Sequence, residues 1–332
     1  MKQYDVYGVG NALVDMEYKV SPEQLAEAGV SKGVMTLVDE TQQASIIESL
    51  GAHECNRGSG GSAANTIIAV SQFGGESFYS CRVADDEFGH FYIDDLIHAG
   101  VTTNIHPARM GAGVTGKCLV FVTPDADRTM NTFLGVSADI SPDDVDESAI
   151  AESKYLYIEG YLVSGESTLS AGLYAIAEAA KVGTKVALSL SDPNMVNFFK
   201  PAMLKLIGAG VDLLFANEDE AKGMADTDDF SAALDYLTSI AKEFVVTRGP
   251  NGAVVFDGRQ FITIDSVPTQ AIDTVGAGDI FAGAYLYGIT HDMNHQKAGT
   301  LAAHAAAKLV ASFGPRLTAE QAQTVLKNCV GS

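Results

Sequence analysis

The chain has 332 residues, of which 47% are hydrophobic and 19% are charged, so it can bury a large core and is not typical of a disordered protein. Acidic residues outnumber basic ones by 42 to 21, which gives a formal net charge of −21. Nucleic acids and anionic membranes carry the same sign of charge, so we expect neither as the main partner.

The N-terminal stretch MKQYDVYGVGNALVD contains charge and glycine where a secretory signal needs an unbroken apolar run, and it is typical of a first strand. No apolar run reaches about 18 residues, so the sequence predicts no transmembrane helix. The cysteines form neither a C-x-x-C pair nor a zinc-binding spacing, and we expect free thiols in a reducing compartment, with a cytoplasmic location. They are Cys55, Cys81, Cys118 and Cys329.

Apolar runs of strand length alternate with helical patterns along most of the chain. Strands are predicted at 4–9, 77–82, 155–159, 185–190, 213–216 and 244–247, and helices at 62–72, 88–98, 167–180, 202–208 and 230–240. This alternation predicts an α/β fold with a mostly parallel sheet and helices on both of its faces. Ligands of such sheets bind at the carboxyl ends of the strands.

Two regions depart from the alternation. Strands with polar residues in register and no helices after them are predicted at 12–20, 33–39, 117–123 and 128–134. We interpret them as a small antiparallel sheet that projects from the core as a lid, because lids exclude water from chemistry that water would spoil. We expect one domain over residues 1–332, with a discontinuous lid at about 12–39 and 102–135.

Two glycine-rich matches do not predict phosphate sites. Residues 111–118, GAGVTGKC, fit the P-loop pattern, but Cys118 replaces the required Ser or Thr and a strand-like run follows in place of a helix. The GVG at residues 8–10 follows a strand, but Leu13 occupies the third glycine position of a dinucleotide fingerprint.

The end of the first strand carries Asn11 and Asp15. A carboxylate at such a place can accept hydrogen bonds from two vicinal hydroxyl groups, while a simple turn is the competing interpretation. Both interpretations stay open from these residues alone.

The stretch RGSGGSAANTIIAVSQFGG, residues 57–75, contains a second set of candidate binding residues. Gly60 and Gly61 allow a close approach of backbone to a ligand, and Ser62 is a candidate helix N-cap. Asn65 then lies one turn into the helix, where its amide can both donate to and accept from sugar hydroxyls. The competing interpretation is a glycine-rich turn with an exposed Asn.

Two turns follow buried strands in the second half of the chain. In NEDE, residues 217–220, Asn217 and Glu220 suit a hydrated Mg²⁺ and also fit an ordinary helix N-terminus. TRGPNG, residues 247–252, is a turn that can either wrap nucleotide phosphates or simply close a hairpin. Its candidate residues are Thr247, Arg248, Gly249 and Gly252.

Residues 273–288, DTVGAGDIFAGAYLYG, combine a small-residue turn with a buried helix. The N–H groups of Gly276, Ala277 and Gly278 lie at the N-terminus of that helix and predict a nest for an anion. Asp279, in the first turn, is placed to take a proton from an attacking hydroxyl group. This is the arrangement that phosphoryl transfer from ATP requires.

These elements, in this order, resemble the PfkB or ribokinase-like family of carbohydrate and nucleoside kinases. DTVGAGD resembles the family signature D-T-x-G-A-G-D, GGSAAN resembles G-G-x-x-x-N, and NEDE resembles N-x-x-E, and the resemblance runs from residue 4 to beyond 316. It implies a ribokinase-like three-layer α/β/α core with a β-sheet lid. It also implies ATP as phosphoryl donor, Mg²⁺, and K⁺ as a candidate activator.

The resemblance also implies roles for single residues. Asp279 would be the general base, the Gly-Ala-Gly backbone the anion hole, and Asp273 a candidate K⁺ ligand. Sugar hydroxyls would be held by Asp15, Gly61 and Asn65, with Asn194 of SDPN facing the phosphates and Glu220 holding Mg²⁺ through water.

Within the family the chain is most similar to the adenosine-kinase branch. GNALVD resembles that branch's opening, and residues 115–137 resemble a lid crossover in which Arg128 approaches the transferred phosphoryl group. Tyr161 is the implied aromatic partner of a purine, and His304 is implied near the ATP adenine, with a buried core histidine as the competing interpretation. Two departures are that GVMTLVDE does not copy that branch's lid and that Tyr161 with Leu162 replaces a doubled aromatic.

The sequence therefore favours an ATP-dependent kinase that phosphorylates the 5′-hydroxyl of a ribonucleoside, adenosine first. A PfkB-type kinase acting on a free sugar or sugar phosphate is the alternative, and a non-catalytic ligand-binding protein on the same fold is the third hypothesis. The partners expected are the small-molecule acceptor and ATP, and both a monomer and a homodimer stay open.

Overall fold

The computed structural model describes residues 2–32, 35–50, 55–124 and 128–330, without the side chains of Met35, Arg128 and Val330. The strands are β1 Tyr4–Val9, β2 Leu13–Lys19, β3 Met35–Leu37, β4 Cys55–Gly60, β5 Ser77–Ser80, β6 Val101–Thr103, β7 Thr115–Val122, β8 Arg128–Gly135, β9 Ser153–Glu159, β10 Lys185–Ser189, β11 Val211–Asn217, β12 Ala241–Thr247, β13 Ala253–Phe256 and β14 Phe261–Ile264. The α-helices are α1 Pro22–Glu27, α2 Glu40–Leu50, α3 Ser62–Gln72, α4 Glu87–His98, α5 Glu147–Ala151, α6 Glu166–Val182, α7 Pro193–Ile207, α8 Glu218–Ala225, α9 Phe230–Leu237, α10 Ala277–Thr290, α11 His295–Val310 and α12 Ala319–Val330.

Nine strands form the large sheet, in the order β14-β13-β12-β11-β10-β9-β1-β5-β6. Pairing is parallel from β6 to β12 and antiparallel for β13 and β14, so the predicted mostly parallel sheet is confirmed. In β1, Val6 belongs to one core cluster and Tyr7 to the other. Since successive side chains of a strand point to opposite faces, this alternation places helices on both sides of the sheet.

The smaller sheet has five strands in the order β3-β8-β7-β2-β4. It was expected to be antiparallel, and β2–β4 and β7–β8 are, but β2–β7 and β3–β8 pair in parallel. β2 and β7 run in the same direction because each begins next to the core, where the Ala12 N–H donates to Ser137 Oγ and the Thr115 hydroxyl donates to Asp86.

Strand β4 was not among the predicted strands, because the glycines before Ser62 were interpreted as a loop for a ligand or a glycine-rich turn. The stretch Cys55–Gly60 lacks β-branched and aromatic residues, so its pattern does not predict a strand. It forms one because its backbone pairs along β2, from Tyr18 opposite Cys55 to Leu13 opposite Gly60.

Two helix starts also differ from expectation. The N-cap of α3 is Gly61 at φ 104°, not Ser62, whose hydroxyl bonds elsewhere. Helix α7 begins at Pro193, although the pattern predicted a start at 202, because it consists of two helical stretches that meet at a kink, where Phe199 has a non-helical backbone shortly before Pro201.

Other expectations from composition and pattern agree with the structure. All four cysteines are thiols outside any disulfide, with Cys81 and Cys118 buried. Asn217 caps α8, as one of the two open interpretations of NEDE predicted. In the part of the chain that the structure describes, no helix combines the length and the apolar character that a membrane span needs.

Candidate active site

A cavity of about 510 Å³ is lined by residues of both sheets and by the N-terminus of α10. Its volume is within the usual range of small-molecule sites, and it lies at the carboxyl ends of β1, β9, β10 and β11, as expected for a parallel sheet. The structure brings together these residues that the sequence singled out: Asn11, Asp15, Gly61, Ser62, Asn65, Tyr161, Asn217, Glu220, Thr247, Gly276, Ala277, Gly278 and Asp279.

Other candidates do not line this cavity, namely Gly60, Asn194, Arg248, Gly249, Gly252, Asp273 and His304. The Arg248 side chain donates to Glu218 at 2.8 Å and lies 4.3 Å from the centre of the Phe230 ring. His304 is exposed on α11, so the competing interpretation as a core histidine is wrong. The Arg128 side chain lies outside the described residues, and its approach to a phosphoryl group stays a prediction.

The turn before α10 is shaped by Gly276, the N-cap, which adopts the left-handed φ of 76°. A Cβ at this position would lie 2.4 Å from the Pro315 carbonyl oxygen, so only glycine fits the turn. The N–H of Ala277 donates to Thr274 O at 3.2 Å, which differs from the expectation of three donors aimed at one anion.

Asp279 connects α10 with the first turn of α3. The Ser62 hydroxyl donates to Asp279 Oδ1 at 2.7 Å, and Asn65 Nδ2 donates to Oδ2 at 3.2 Å. Burial of the carboxyl group raises its pKa to about 6, while these two hydrogen bonds act in the opposite direction. Asn65 Oδ1 is buried without a hydrogen-bond partner among the described residues, so it can accept a hydrogen bond from a ligand.

Glu159, at the end of β9, is a cavity residue that the sequence interpretation missed. Its Oε1 accepts from the backbone N and Nδ2 of Asn11 at 2.7 and 2.8 Å, and its Oε2 accepts from the Ala63 N–H at 2.8 Å. Burial raises its pKa to about 7. The signal was present in YIEG, where a carboxylate ends a buried strand.

Asn217 and Glu220 form a reciprocal pair at the start of α8. Both oxygens of Glu220 accept from Asn217, at 2.9 Å from its backbone N and 2.7 Å from Nδ2. Burial, together with the nearby charges of Asp192 and Asp279, raises the pKa of Glu220 to about 7. The sequence interpretation did not single out Asp192, which also lines the cavity.

Asp273 is buried beneath the turn that precedes α10. Its Oδ1 accepts from the Val275 N–H at 3.1 Å and its Oδ2 accepts from the Gly314 N–H at 2.8 Å. These bonds tie the turn to the segment that follows α11. Among residues 2–32, 35–50, 55–124 and 128–330, no cluster of three or more His, Cys, Asp or Glu side chains is arranged to hold a metal ion.

Comparison with known proteins identifies the family. A model of the pfkB family carbohydrate kinases matches residues 35–322. The adenosine kinase of Saccharomyces cerevisiae is 27% identical over 94% of this chain and 96% of its own length. Two solved structures are each 33% identical to this chain. The structure of a probable sugar kinase from Rhizobium etli matches over 99% of both chains with a TM-score of 0.90. The structure of the adenosine kinase from Sinorhizobium meliloti matches over 98% of this chain and 99% of that chain with a TM-score of 0.89. The chain belongs to the pfkB family of carbohydrate kinases and is a phosphotransferase that acts on an alcohol group.

Proposed function

We propose that the protein transfers the γ-phosphoryl group of ATP to the 5′-hydroxyl of a ribonucleoside, with adenosine as the first candidate. The observation that carries the choice of a nucleoside is the apolar wall that the small sheet presents to the cavity. This wall consists of Leu13, Leu37, Cys118, Met130 and Leu134. Two polar residues of the same sheet also line the cavity: Thr132, whose hydroxyl donates to Cys118 Sγ, and Asp15.

A nucleobase and a free sugar differ in what they offer to such a wall. A purine has a flat apolar face, which gains free energy when Leu and Met side chains cover it. A free sugar carries hydroxyl groups around its whole ring, and an apolar wall would leave some of them without partners. Tyr161, in the same cavity, supplies an aromatic ring for the base.

The polar residues at the base of the cavity suit the ribose and the transferred group. In this proposal Asp15, Asn65 and the Gly61 backbone hold the ribose hydroxyls, and Asp279 takes the proton of the attacking hydroxyl. The N–H groups of Gly276 and Gly278, with Arg128, stabilise charge on the phosphoryl group, and the small sheet closes over both substrates to exclude water. Because Ala277 donates to Thr274 O, its N–H contributes only if the turn rearranges.

The donor side fits ATP with Mg²⁺. Both Glu220 oxygens already accept from Asn217, so Glu220 would hold the ion through water, which is usual for Mg²⁺. Bound Mg²⁺ would neutralise charge on the β- and γ-phosphates. Asp273 remains the candidate ligand for K⁺, and dependence of the rate on KCl, compared with NaCl, tests it.

A sugar kinase is the second candidate function. Glu159 and Asn11 give the cavity a buried polar corner that hydroxyl groups can occupy, and a 33% identical neighbour carries the name of a probable sugar kinase. A non-catalytic ligand-binding role is the third, although such a protein has no need of a base like Asp279.

A substrate panel separates these candidates. We expect ADP release with adenosine at a kcat/KM at least tenfold above that with ribose, fructose or fructose 6-phosphate, because only the nucleoside covers the apolar wall. The measurement is coupled ADP production, with and without K⁺. Phosphorylation of a sugar but of no nucleoside would rule out the first proposal, and no ADP release with any acceptor would favour the third.

Replacing Ser62 with alanine is expected to shift the pH dependence of the reaction. The Ser62 hydroxyl stabilises the ionised form of Asp279, so its removal raises the pKa of the base above about 6. A hydrogen bond to a charged group is worth about 1.5–3 kcal/mol and one pKa unit is about 1.4 kcal/mol, so the acid limb of kcat/KM should move up by about one to two pH units.

The matched control for this shift is Ser71→Ala on the same helix. The Ser71 hydroxyl contacts Ser77 and the Gly100 carbonyl, away from the cavity. Glu159 and Glu220, with pKa values of about 7, titrate in the same limb and are unchanged in both variants. An acid limb that stays in place in Ser62→Ala would show that Ser62 does not tune the base.

A further inference from the structure

The segment from the last residue of α11 onward, residues 310–317, contacts both halves of the active site. On the side of the proposed anion hole, Val310 O accepts from the backbone N–H groups of Ile272 and Asp273, at 2.6 and 3.1 Å. The Gly314 N–H donates to the Asp273 carboxylate at 2.8 Å. The Pro315 backbone packs so closely on Gly276 that no side chain fits between them. This segment therefore supports the turn that precedes Asp279.

Arg316, the next residue, reaches in the other direction, to the acceptor side. Its Nη1 donates to Ser59 Oγ at 3.2 Å and its Nη2 donates to Asp95 Oδ2 at 3.1 Å. The same Asp95 oxygen accepts from the backbone N and the hydroxyl of Ser59, at 2.8 and 2.5 Å. Burial opposes ionisation of Asp95, but the Arg316 charge and the Ser59 hydrogen bonds hold its pKa below the ordinary value.

Ser59 is followed in the chain by Gly60 and Gly61, which pack against the candidate substrate-binding residues Asp15 and Asn11. A Cβ on Gly60 would lie 2.3 Å from the Asp15 carboxyl carbon, and one on Gly61 would lie 2.2 Å from the Asn11 carbonyl oxygen. The Gly60 carbonyl accepts from the buried Tyr92 hydroxyl at 2.9 Å. Because Gly60 and Gly61 pack this closely, a displacement of Ser59 would also move Asp15 and Asn11.

We propose that Arg316 is a positioning residue, which fixes the end of β4 and the start of α3, Ser59-Gly60-Gly61, relative to the turn that precedes Asp279. These two segments lie more than two hundred residues apart in the chain. Residues 310–317 join them through hydrogen bonds, the Arg316–Asp95 ion pair and backbone packing, in addition to the hydrogen bonds that α3 makes to Asp279. The guanidinium group is suited to this task because its planar fork contacts two atoms at once, and its side chain is 19% exposed. The proposal rests on the kinase function proposed above.

Arg57 provides a matched control on the same two elements. It lies on β4, and its Nη1 donates to Glu87 Oε1 on α4 at 2.8 Å. The Arg57→Ala variant therefore removes an arginine–carboxylate ion pair to α4, as Arg316→Ala does by removing the pair with Asp95. It leaves Ser59, Asp95 and residues 310–317 unchanged. It therefore separates the loss of any arginine–carboxylate pair on α4 from the loss of the pair that joins residues 310–317 to α4.

The kinetic test compares Arg316→Ala, Arg316→Lys and Arg57→Ala with the unchanged protein. A displacement of about 1 Å between reacting groups can cost about a hundredfold in rate, so we expect Arg316→Ala to lower kcat/KM for the acceptor by about 10- to 100-fold. The KM for ATP should change by less than about threefold, since the Arg316 side chain bonds to Ser59 and Asp95 and not to Asn217 or Glu220 on the ATP side. Arg316→Lys should recover part of the loss, and Arg57→Ala should show none.

A second measurement does not depend on activity. Hydrogen–deuterium exchange of the amides at 58–66 and 272–280 should become faster in Arg316→Ala and stay unchanged in Arg57→Ala. Unchanged exchange in both stretches, or an equal kinetic loss in Arg57→Ala, would overturn the positioning role. If the unchanged protein phosphorylates no acceptor, the proposed function fails, and the exchange experiment still decides whether Arg316 couples residues 59–61 to the turn that precedes Asp279.

Discussion

Replacement of Asp279 by asparagine is expected to lower kcat by about a thousandfold while leaving the acceptor bound. The amide keeps the shape of the side chain and one oxygen that can accept from Ser62, but it cannot take a proton from the attacking hydroxyl. General base catalysis contributes about 10²–10⁴ in rate, which sets the size of the loss. The measurement is steady-state kcat at saturating ATP and acceptor, with calorimetric titration of the acceptor to confirm binding.

The pH dependence of the unchanged protein tests the same role. A base must be ionised to act, so kcat/KM should fall as the pH drops through the Asp279 pKa of about 6. Asp279→Asn should lose this step and keep any contribution from Glu159 and Glu220. If Asp279→Asn retained more than about a tenth of kcat, or if its acid limb matched that of the unchanged protein, another group would have to take the proton.

Much of the fold could be predicted from the sequence because its strands are buried on both faces. β1 was expected at residues 4–9 and is observed at Tyr4–Val9, since six buried residues in a row leave little ambiguity. β4 could not be predicted, because CNRGSG has neither alternation nor strand-forming residues, and its pairing with β2 comes from tertiary context.

Some residues of the candidate site could be predicted from the sequence and others could not. Residues at a turn or a helix start, such as Asp279 and Asn217, could be placed because glycine and capping patterns fix the local backbone. Glu159 and Arg316 were missed because their roles arise from partners far away in the chain, at Asn11, Ala63, Ser59 and Asp95. No local sequence pattern indicates such a pairing. A carboxylate or guanidinium group next to buried residues in the sequence does indicate that the charge has a partner, because buried charges are paired or hydrogen-bonded.

The second large effect is expected from Gly276→Ala, which should cost both stability and activity. Gly276 has a left-handed φ of 76°, a conformation that costs about 1–2 kcal/mol for a residue with a Cβ. The added Cβ would also lie 2.4 Å from Pro315 O and 2.9 Å from Pro315 Cα, so backbone must move. We expect a loss of about 2 kcal/mol or more in the free energy of unfolding, measured by urea denaturation.

The same movement displaces the N–H groups that the proposal directs at the phosphoryl group. Removal of one preorganised donor costs about 10²–10³ in kcat, and we expect Gly276→Ala to fall in that range. Gly278→Ala is the matched stability control, because position 278 has no left-handed φ and a Cβ there meets no atom within 4 Å. It should unfold at the same or a higher urea concentration, since alanine is favoured over glycine in a helix. Equal unfolding free energies and equal kcat in Gly276→Ala and the unchanged protein would mean that the turn tolerates the side chain, and the anion hole would then have to be sought elsewhere in the cavity.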